Sequence, residues 1–579
     1  PNASVANTLA GQITGLSSVQ TSGQPGQEDP KVFIRGVGSL TESASSPLIL
    51  VDGVERSFYQ MDPNEIESIT VLKDASATAV FGVRGANGVV LITTKKGKEG
   101  RVNITVNSNT EIFNAFVTPD FQNRYGTSGG QITHSWGNLL NSSNSYGYNP
   151  TSDYFQTGVT GTESISLSTG TDKNQTYVSA AAVNSKGLIP NNKYARYNFT
   201  FRNTTSFLDD KMTLDVGATY VLQKDQNMVN QGTYNNPLVG AYLFPRGNDW
   251  EDFKMYERYD ASRKLDTQYW PVGDAGMVMQ NPYWINYRQL RNNNKDRYML
   301  NASLNYKILD WLSVSGRVRL DNSFNDYTEK YYAGTNTQMT EASTRGLYTI
   351  SKTTDKQLYA DFLININKSF GENWNLSANI GTSFMDMRSD GLEVRGPIAD
   401  ENFEGETPGL ANVFNVQNLS AKKTKRMQNG WREQTQSVFA SAELGYKSTY
   451  YLTLTGRNDW ASQLANSPQK SFFYPSVGVS WLPSSTFNFP EKFNYLKIRA
   501  SWASVANPFP RELTIATHPY DDTISGWDDK SNYPIGQLYP ERTKTWELGF
   551  DARFLHGFTL SASWYRADTY NQTFNPNLS

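Results

Sequence analysis

The chain has 579 residues, with 53 Lys and Arg against 55 Asp and Glu, so its net charge of −2 gives no global pull toward nucleic acid or anionic lipid. Hydrophobic residues reach only 38% while Phe, Trp and Tyr alone make up 13%, a texture richer in aromatics and poorer in aliphatics than an ordinary soluble core. No cysteine is present, which excludes disulfides, thiolate metal sites and cysteine nucleophiles.

Apolar runs are short, such as 47–51 and 89–92, and none approaches the roughly 18–20 residues that a spanning helix requires. A spanning β-strand needs only about 10 residues, of which every second one faces lipid, so membrane insertion by strands stays open. The sequence begins at Pro1 without Met and stops at Ser579 just beyond a strand-like run. Both ends read as cuts in a longer protein, so the lack of a targeting signal carries no weight.

The first hundred residues have the texture of a compact α+β domain. Lys31 to Arg35 and Leu48 to Val51 read as strands. Asp62-Pro63 marks a helix start, Ile69 to Leu72 a further strand, and Asp74 caps a short helix from Ala75 to Phe81 that Gly82 closes. Val89 to Thr94 completes the unit.

From Arg101 the sequence changes to long runs of period two. Tyr197, Phe199, Phe201 and Phe207 alternate with Arg196, Asn198, Thr200, Arg202 and Thr204. Leu312, Val314, Val318 and Leu320 likewise alternate with Ser313, Ser315, Arg317, Arg319 and Asp321. Such strands carry one apolar and one polar face. About 15 of them are expected, near 101–113, 162–171, 175–187, 194–208, 211–224, 297–308, 311–325, 356–369, 374–388, 432–446, 449–461, 472–482, 494–504, 543–554 and 557–570. Tight turns at Asp209-Asp210, Leu309-Asp310, Gly371-Glu372, Lys447-Ser448 and Leu555-His556 alternate with long loops near 114–161, 225–296, 326–355, 389–431 and 505–542. Short turns on one rim and long loops on the other mark an outer-membrane barrel, with the tight turns periplasmic. Trp374, Tyr450 and Trp481 lie where an interfacial aromatic girdle belongs. The expected fold class is therefore an all-β transmembrane barrel preceded by a compact α+β domain, divided as 1–98 and 99–579. A soluble sandwich or propeller is disfavoured, because strands of about 12–15 residues exceed the usual 5–6.

Specific runs then resemble the SusC/RagA family of TonB-dependent outer-membrane transporters. They include Val32-Phe33-Ile34-Arg35-Gly36-Val37-Gly38-Ser39, Pro47-Leu48-Ile49-Leu50-Val51-Asp52-Gly53-Val54, and Ile66 through Val90 with Leu72-Lys73-Asp74-Ala75 and Gly82-Val83-Arg84-Gly85-Ala86-Asn87-Gly88. Gly456-Arg457-Asn458-Asp459-Trp460, Ser480-Trp481-Leu482-Pro483 and Thr545-Trp546-Glu547-Leu548-Gly549 extend the resemblance into the barrel. It implies that the N-terminal α+β domain is a plug inside the lumen of a barrel of about 22 strands, with a preceding TonB-contacting segment and further strands after Ser579. It also implies import of a large nutrient, most naturally oligosaccharide fragments, with oligopeptides as the alternative cargo. The implied partners are a SusD-like surface lipoprotein acting as lid and TonB energised by ExbB and ExbD. Two transporter–lipoprotein pairs could associate into a dimer. A surface β-rich adhesin that transports nothing is the reading from another class.

Catalysis finds no support. The glycine run 82–88 lacks a phosphate-loop lysine, and His134, His518 and His556 are too scattered for a metal. No cofactor is expected. Arg35, Asp52, Asp74 and Arg84 are the plug and gating candidates, with Arg35 and Arg84 expected to pair with plug or wall carboxylates. Trp250, Tyr269, Trp270, Tyr283 and Trp284, in one long loop, are candidates for contact with substrate or lid.

Overall fold

The computed structural model describes the chain apart from residues 1–8, 10, 12, 14, 21, 28–29, 38–45, 56–59, 74–84, 86, 128–134, 273–278, 491, 517, 519, 522–525, 528–534, 556 and 574–579. The N-terminal domain contains β1 (Leu16–Val19), β2 (Lys31–Ile34), β3 (Leu48–Val51), β4 (Val54–Glu55), β5 (Ile66–Leu72) and β6 (Val89–Thr94). The first two pair with each other, and the rest form a sheet of order β4-β3-β6-β5 in which β3 and β6 run parallel. Ile34, Val51, Met61, Val90 and Ile92 pack on one side, Leu48, Leu50 and Val89 on the other. A strand buried on both faces must be apolar at successive positions, which is why Leu48-Ile49-Leu50-Val51 shows no alternation. Asp62 caps a single 3-10 turn, Pro63–Glu65, accepting from the Asn64 amide at 3.0 Å. The helix expected over 75–81 lies outside the described residues.

The remaining chain forms one antiparallel sheet of 15 strands in which each strand pairs with the next. These are β7 (Gly100–Phe113), β8 (Gly158–Gly170), β9 (Asn174–Lys186), β10 (Lys193–Phe207) and β11 (Met212–Gln226). A loop hairpin, β12 (Glu257–Asp260) with β13 (Leu265–Gln268), intervenes. The wall resumes with β14 (Gln289–Leu309), β15 (Leu312–Tyr332), β16 (Gly346–Phe370), β17 (Trp374–Pro397), β18 (Lys425–Tyr446), β19 (Tyr450–Ala461), β20 (Phe472–Trp481) and β21 (Phe493–Asn507). After a short hairpin, β22 (Tyr520–Asp521) with β23 (Gly526–Trp527), come β24 (Glu541–Phe554) and β25 (Phe558–Tyr570).

The expected plug and barrel are thus both present, and the wall has the polarity of a membrane barrel. On β10, Phe199 and Phe201 are 49% and 45% exposed while Arg196, Asn198 and Arg202 are buried. Leu300, Leu304, Val318, Leu358, Phe362 and Ile380 continue the exposed apolar band. A soluble surface does not sustain an apolar band of this extent, because contiguous patches stay within a few hundred Å². The tight-turn rim carries aromatics. Trp374 and Tyr446 lie 4.6 Å apart between ring centroids, Tyr450 and Trp481 stack at 6.3 Å, and Phe554 stacks on Phe558 at 5.8 Å.

Five wall strands, β14 to β18, outrun their expected bounds at the long-loop end by the widest margins. β16 has 25 residues, more than twice the roughly 10 that cross a bilayer. Its upper part, with Thr353, Thr354, Asp355 and Lys356, lacks apolar alternation because both faces stand in water there. The same holds for Asn292 to Asp296 on β14. Period two therefore reports the lipid-facing span and falls silent above it.

Placing a charge in the apolar band tests this orientation. Val318→Arg, facing outward from β15, should destabilise the folded barrel by about 2–4 kcal/mol. Thr354→Arg, above the band on β16, should stay within about 0.5 kcal/mol. Urea unfolding of the full-length protein in vesicles reads both.

Candidate functional site

The plug meets the wall through polar groups, and its central fastening is the β3–β4 hairpin. A two-residue turn matching strand twist needs positive φ at both central positions, and Asp52 (φ 50°) and Gly53 (φ 80°) provide it. A Cβ at Gly53 would also meet the Arg317 guanidinium, which would have to shift, and the positive φ there already favours glycine. Asp52 accepts from the Thr94 amide at 2.9 Å and the Thr94 hydroxyl at 2.6 Å, which binds the turn to β6. Arg202 of β10 reaches the same carboxylate at 3.2 Å. Arg319 and Arg317 of β15 donate to the carbonyls of Val51 at 2.6 Å and Asp52 at 3.4 Å. Burial by itself raises the Asp52 pKa, but Arg202, Thr94 and Arg319 outweigh it and hold the carboxyl below its ordinary value.

Further contacts ring the domain. Gln60 accepts from Arg297 at 2.9 Å and donates to Gln223 at 2.7 Å, while its carbonyl accepts from Asn198 at 2.8 Å. Ser179 donates to Glu65 at 2.5 Å, and Gln357 to the Glu55 carbonyl at 3.0 Å. Arg35 forms a two-pronged bond to Glu547 of β24 at 2.9 and 3.0 Å and lies 4.5 Å from the centre of the Tyr565 ring.

Three wall arginines carry a wall carboxylate of their own. Arg202 pairs with Asp215 at 2.9 Å, Arg297 with Asp321 at 2.6 Å, and Arg317 with Asp361 at 2.5 Å. Stripping one partner from a buried ion pair costs about 3–5 kcal/mol. Releasing the plug leaves each of these three guanidiniums with its wall carboxylate, while Asp52 on the plug gives up Arg202 and keeps Thr94. The Arg35–Glu547 pair has its two charges on opposite sides of the interface, so separating plug from wall must break it.

Of the gating candidates, Arg35 therefore stands against a wall carboxylate and Asp52 against a wall arginine, and the two do not meet each other. Asp74 and Arg84 lie outside the described residues. The wall groups Arg202, Arg317, Arg319 and Glu547 were not singled out from sequence. Their signal was charge on the polar parity of membrane strands, with partners at paired or adjacent positions, and Glu547 sits inside a run that carries the family resemblance.

The aromatic candidates lie within the packed loops. The loop after β11 folds around α2 (Pro237–Tyr242), α3 (Trp250–Lys254) and α4 (Pro282–Arg288), with α1 (Pro150–Asp153) contributed by the loop after β7. Trp250, Trp270 and Trp284 are 3%, 8% and 0% exposed and pack inside the loops, whereas Tyr269 and Tyr283 are half-buried. Trp250 stacks on Tyr148 at 4.5 Å, Trp270 meets Phe253 edge-on at 5.5 Å, and the Trp284 indole donates to Thr335 at 2.9 Å. Tyr269 stacks on Phe253 at 5.7 Å, and Tyr283 packs edge-on to Tyr154 at 5.7 Å. Burial pushes the Tyr283 hydroxyl up to about 12. Among the described residues no cluster of three or more His, Asp or Glu could hold a metal.

Arg35→Ala should leave the barrel assembled, read as heat-modifiable gel migration, while raising entry of large antibiotics. Unchanged permeability would remove Arg35 from the gate. Asp52 makes the pH dependence testable. Its folded pKa is depressed, so its contribution is complete above the ordinary carboxylate value and is lost as pH falls through the folded one. Plug protection from protease should be flat from neutral to mildly acidic pH and drop only below the ordinary carboxylate range. Asp52→Asn should abolish that drop.

Residues 1–89 match the TonB-dependent Receptor Plug Domain model, and residues 243–578 match the TonB dependent receptor-like, beta-barrel model. TonB-dependent receptor P3 of Formosa agariphila is 26% identical over 99% of this chain and 56% of its own length. TonB-dependent receptor SusC of Bacteroides thetaiotaomicron is 23% identical over 95% of this chain and 56% of its own length. The chain thus spans little more than half of these curated relatives. In fold it is similar to the RagAB peptide transporter, with a TM-score of 0.80, 20% identity and coverage of 100% of this chain and 67% of that one.

Proposed function

The chain belongs to the TonB-dependent receptor-like β-barrel family, and from that premise we propose that it imports a large nutrient across the outer membrane. Residues 1–98 act as the movable plug and 99–579 as the wall. The observation that supports this reading is the polar, ionic fastening between them. A domain meant to stay would be packed with apolar side chains, whereas this one is held by hydrogen bonds and ion pairs.

The cargo proposed is an oligosaccharide, held under a SusD-like lipoprotein lid at the long-loop rim. TonB, energised by ExbB and ExbD, pulls the plug from the periplasmic side, and the whole sits in the outer membrane of a Bacteroidetes-like cell. Above the hairpin the inward-facing positions carry Asn293, Asn325, Ser351, Thr353, Asp355 and Tyr327, a hydroxyl- and amide-rich lining suited to a polyhydroxylated ligand. An oligopeptide is the second reading. A cavity of about 120 Å³ between hairpin and wall is lined by Leu48, Leu50, Met385 and Met387, and such flexible apolar groups adapt to varied side chains.

Native mass spectrometry of the full-length protein, gently extracted from its own membrane, tests both. The expected result is a co-purifying lipoprotein and ligand masses spaced by hexose units. Heterogeneous peptide masses would transfer the assignment to peptide import. Uptake that survives a proton uncoupler would contradict the TonB-driven mechanism.

A further inference from the structure

The loops above the barrel enclose a cavity that the plug mechanism does not use. It measures about 320 Å³ and lies between residues 118–123, 145–150 and 246–248. That size falls at the lower end of ligand pockets, about 300–1,000 Å³. Its floor is fixed by the loop core, since the Tyr148 hydroxyl donates to the Ala241 carbonyl at 2.7 Å and the Tyr148 ring lies 4.9 Å from Phe244. Arg246 holds the facing segment, its amide donating to Ser135 Oγ at 2.9 Å and its Nε to Asn123 Oδ1 at 2.6 Å.

Two features of the lining point to a ligand. Tyr146 is 60% exposed and, among the described residues, makes no hydrogen bond or ring contact. An aromatic ring left bare beside a cavity is a platform for a ring with an apolar face. Arg246 is the second feature, only 6% exposed. Among the described residues its guanidinium meets the Asn123 amide oxygen, the Phe244 carbonyl and the face of Tyr148 at 5.2 Å, but no carboxylate. Buried charges are ordinarily paired, so this cation is short of an anion. Burial correspondingly draws the Arg246 pKa down. Asp120, Asn149 and Asn248 complete the lining with groups that match sugar hydroxyls.

We propose that this cavity is a binding subsite for an acidic sugar unit, whose ring lies on Tyr146 and whose anionic oxygen group faces Arg246. A uronate carboxylate and a sulfate ester share this chemistry. The choice of a sugar rests on the importer reading above, whereas the anionic preference rests on Arg246 alone.

Calorimetry on the purified full-length protein in detergent tests it with an oligogalacturonate, a sulfated oligosaccharide and neutral maltotetraose. The expected result is binding of one or both acidic ligands, weakened by added salt, with maltotetraose at least tenfold weaker. Whichever acidic ligand binds identifies the anion. Tyr146→Ala should weaken binding roughly three- to tenfold. Arg246→Gln should erase the difference between acidic and neutral ligands, and Arg246→Lys should keep part of it. Equal affinity for neutral and acidic sugars, or unchanged affinity in Tyr146→Ala, would overturn the proposal. Because Arg246 also braces the loop, Tyr146→Ala and the salt dependence decide the matter if Arg246→Gln misfolds. Uptake is scored separately. Import without binding here sinks only the subsite, and binding without import sinks only the importer reading.

Discussion

The structure depends on how buried charge is managed where the plug touches the wall. A domain inside a barrel must be held firmly enough to seal it and loosely enough to leave. Apolar packing would achieve only the first. Here Arg202, Arg297 and Arg317 each have a carboxylate on the wall, in Asp215, Asp321 and Asp361, and lend their remaining donors to the plug. Withdrawing those loans leaves all three guanidiniums paired, and water can replace the Asp52 carbonyl that Arg317 meets. Other contacts also run to main-chain carbonyls, from Arg319 to Val51 and from Gln357 to Glu55. A carbonyl contact fixes position without leaving a stranded charge on the plug. Arg35 with Glu547 and Asp52 with Arg202 depart from this pattern, because their opposite charges stand on the two sides of the interface and release must part them.

This arrangement requires a wall whose polar side faces inward. The alternating strands supply it by exposing Phe199 and Phe201 while burying Asn198 and Arg202, the inverse of a soluble sheet. Lipid outside and a hydrated domain inside make both halves of the pattern favourable at once. The loops obey the ordinary rule again. Trp250, Trp270 and Trp284 gather into a core because they stand in water and have no lipid to face.

The sequence was most legible where one environment lay on each side of a strand. The lipid-spanning parts of the wall could be found to within a few residues, because period two needs that contrast. Above the bilayer both faces are wet, so the upper ends of β14 to β18 carry no pattern and read as loop. The loop helices did have a signal. Asn149-Pro150, Asn236-Pro237 and Asn281-Pro282 each place a capping amide before a helix-starting proline, and all three caps are made. Arg35 and Asp52 could be singled out from their motifs, but their partners Glu547 and Arg202 lie 512 and 150 residues away. Such pairings depend on strand register and barrel curvature, which no local pattern encodes. The loop tryptophans stood out for their chemistry, yet composition could not say whether they faced inward or outward.

The central claim is that passage requires the plug to let go of the wall, and a reversible tether tests it most directly. Residues 1–579 contain no cysteine, so Gln60→Cys with Asn198→Cys adds one defined thiol pair to this part of the full-length protein, across the interface. With the pair joined by a short cleavable cross-linker, uptake should stop, and reduction should restore it. Uptake at the normal rate with the cross-link demonstrably intact would mean that cargo passes a plug that stays fastened, and the account would fail.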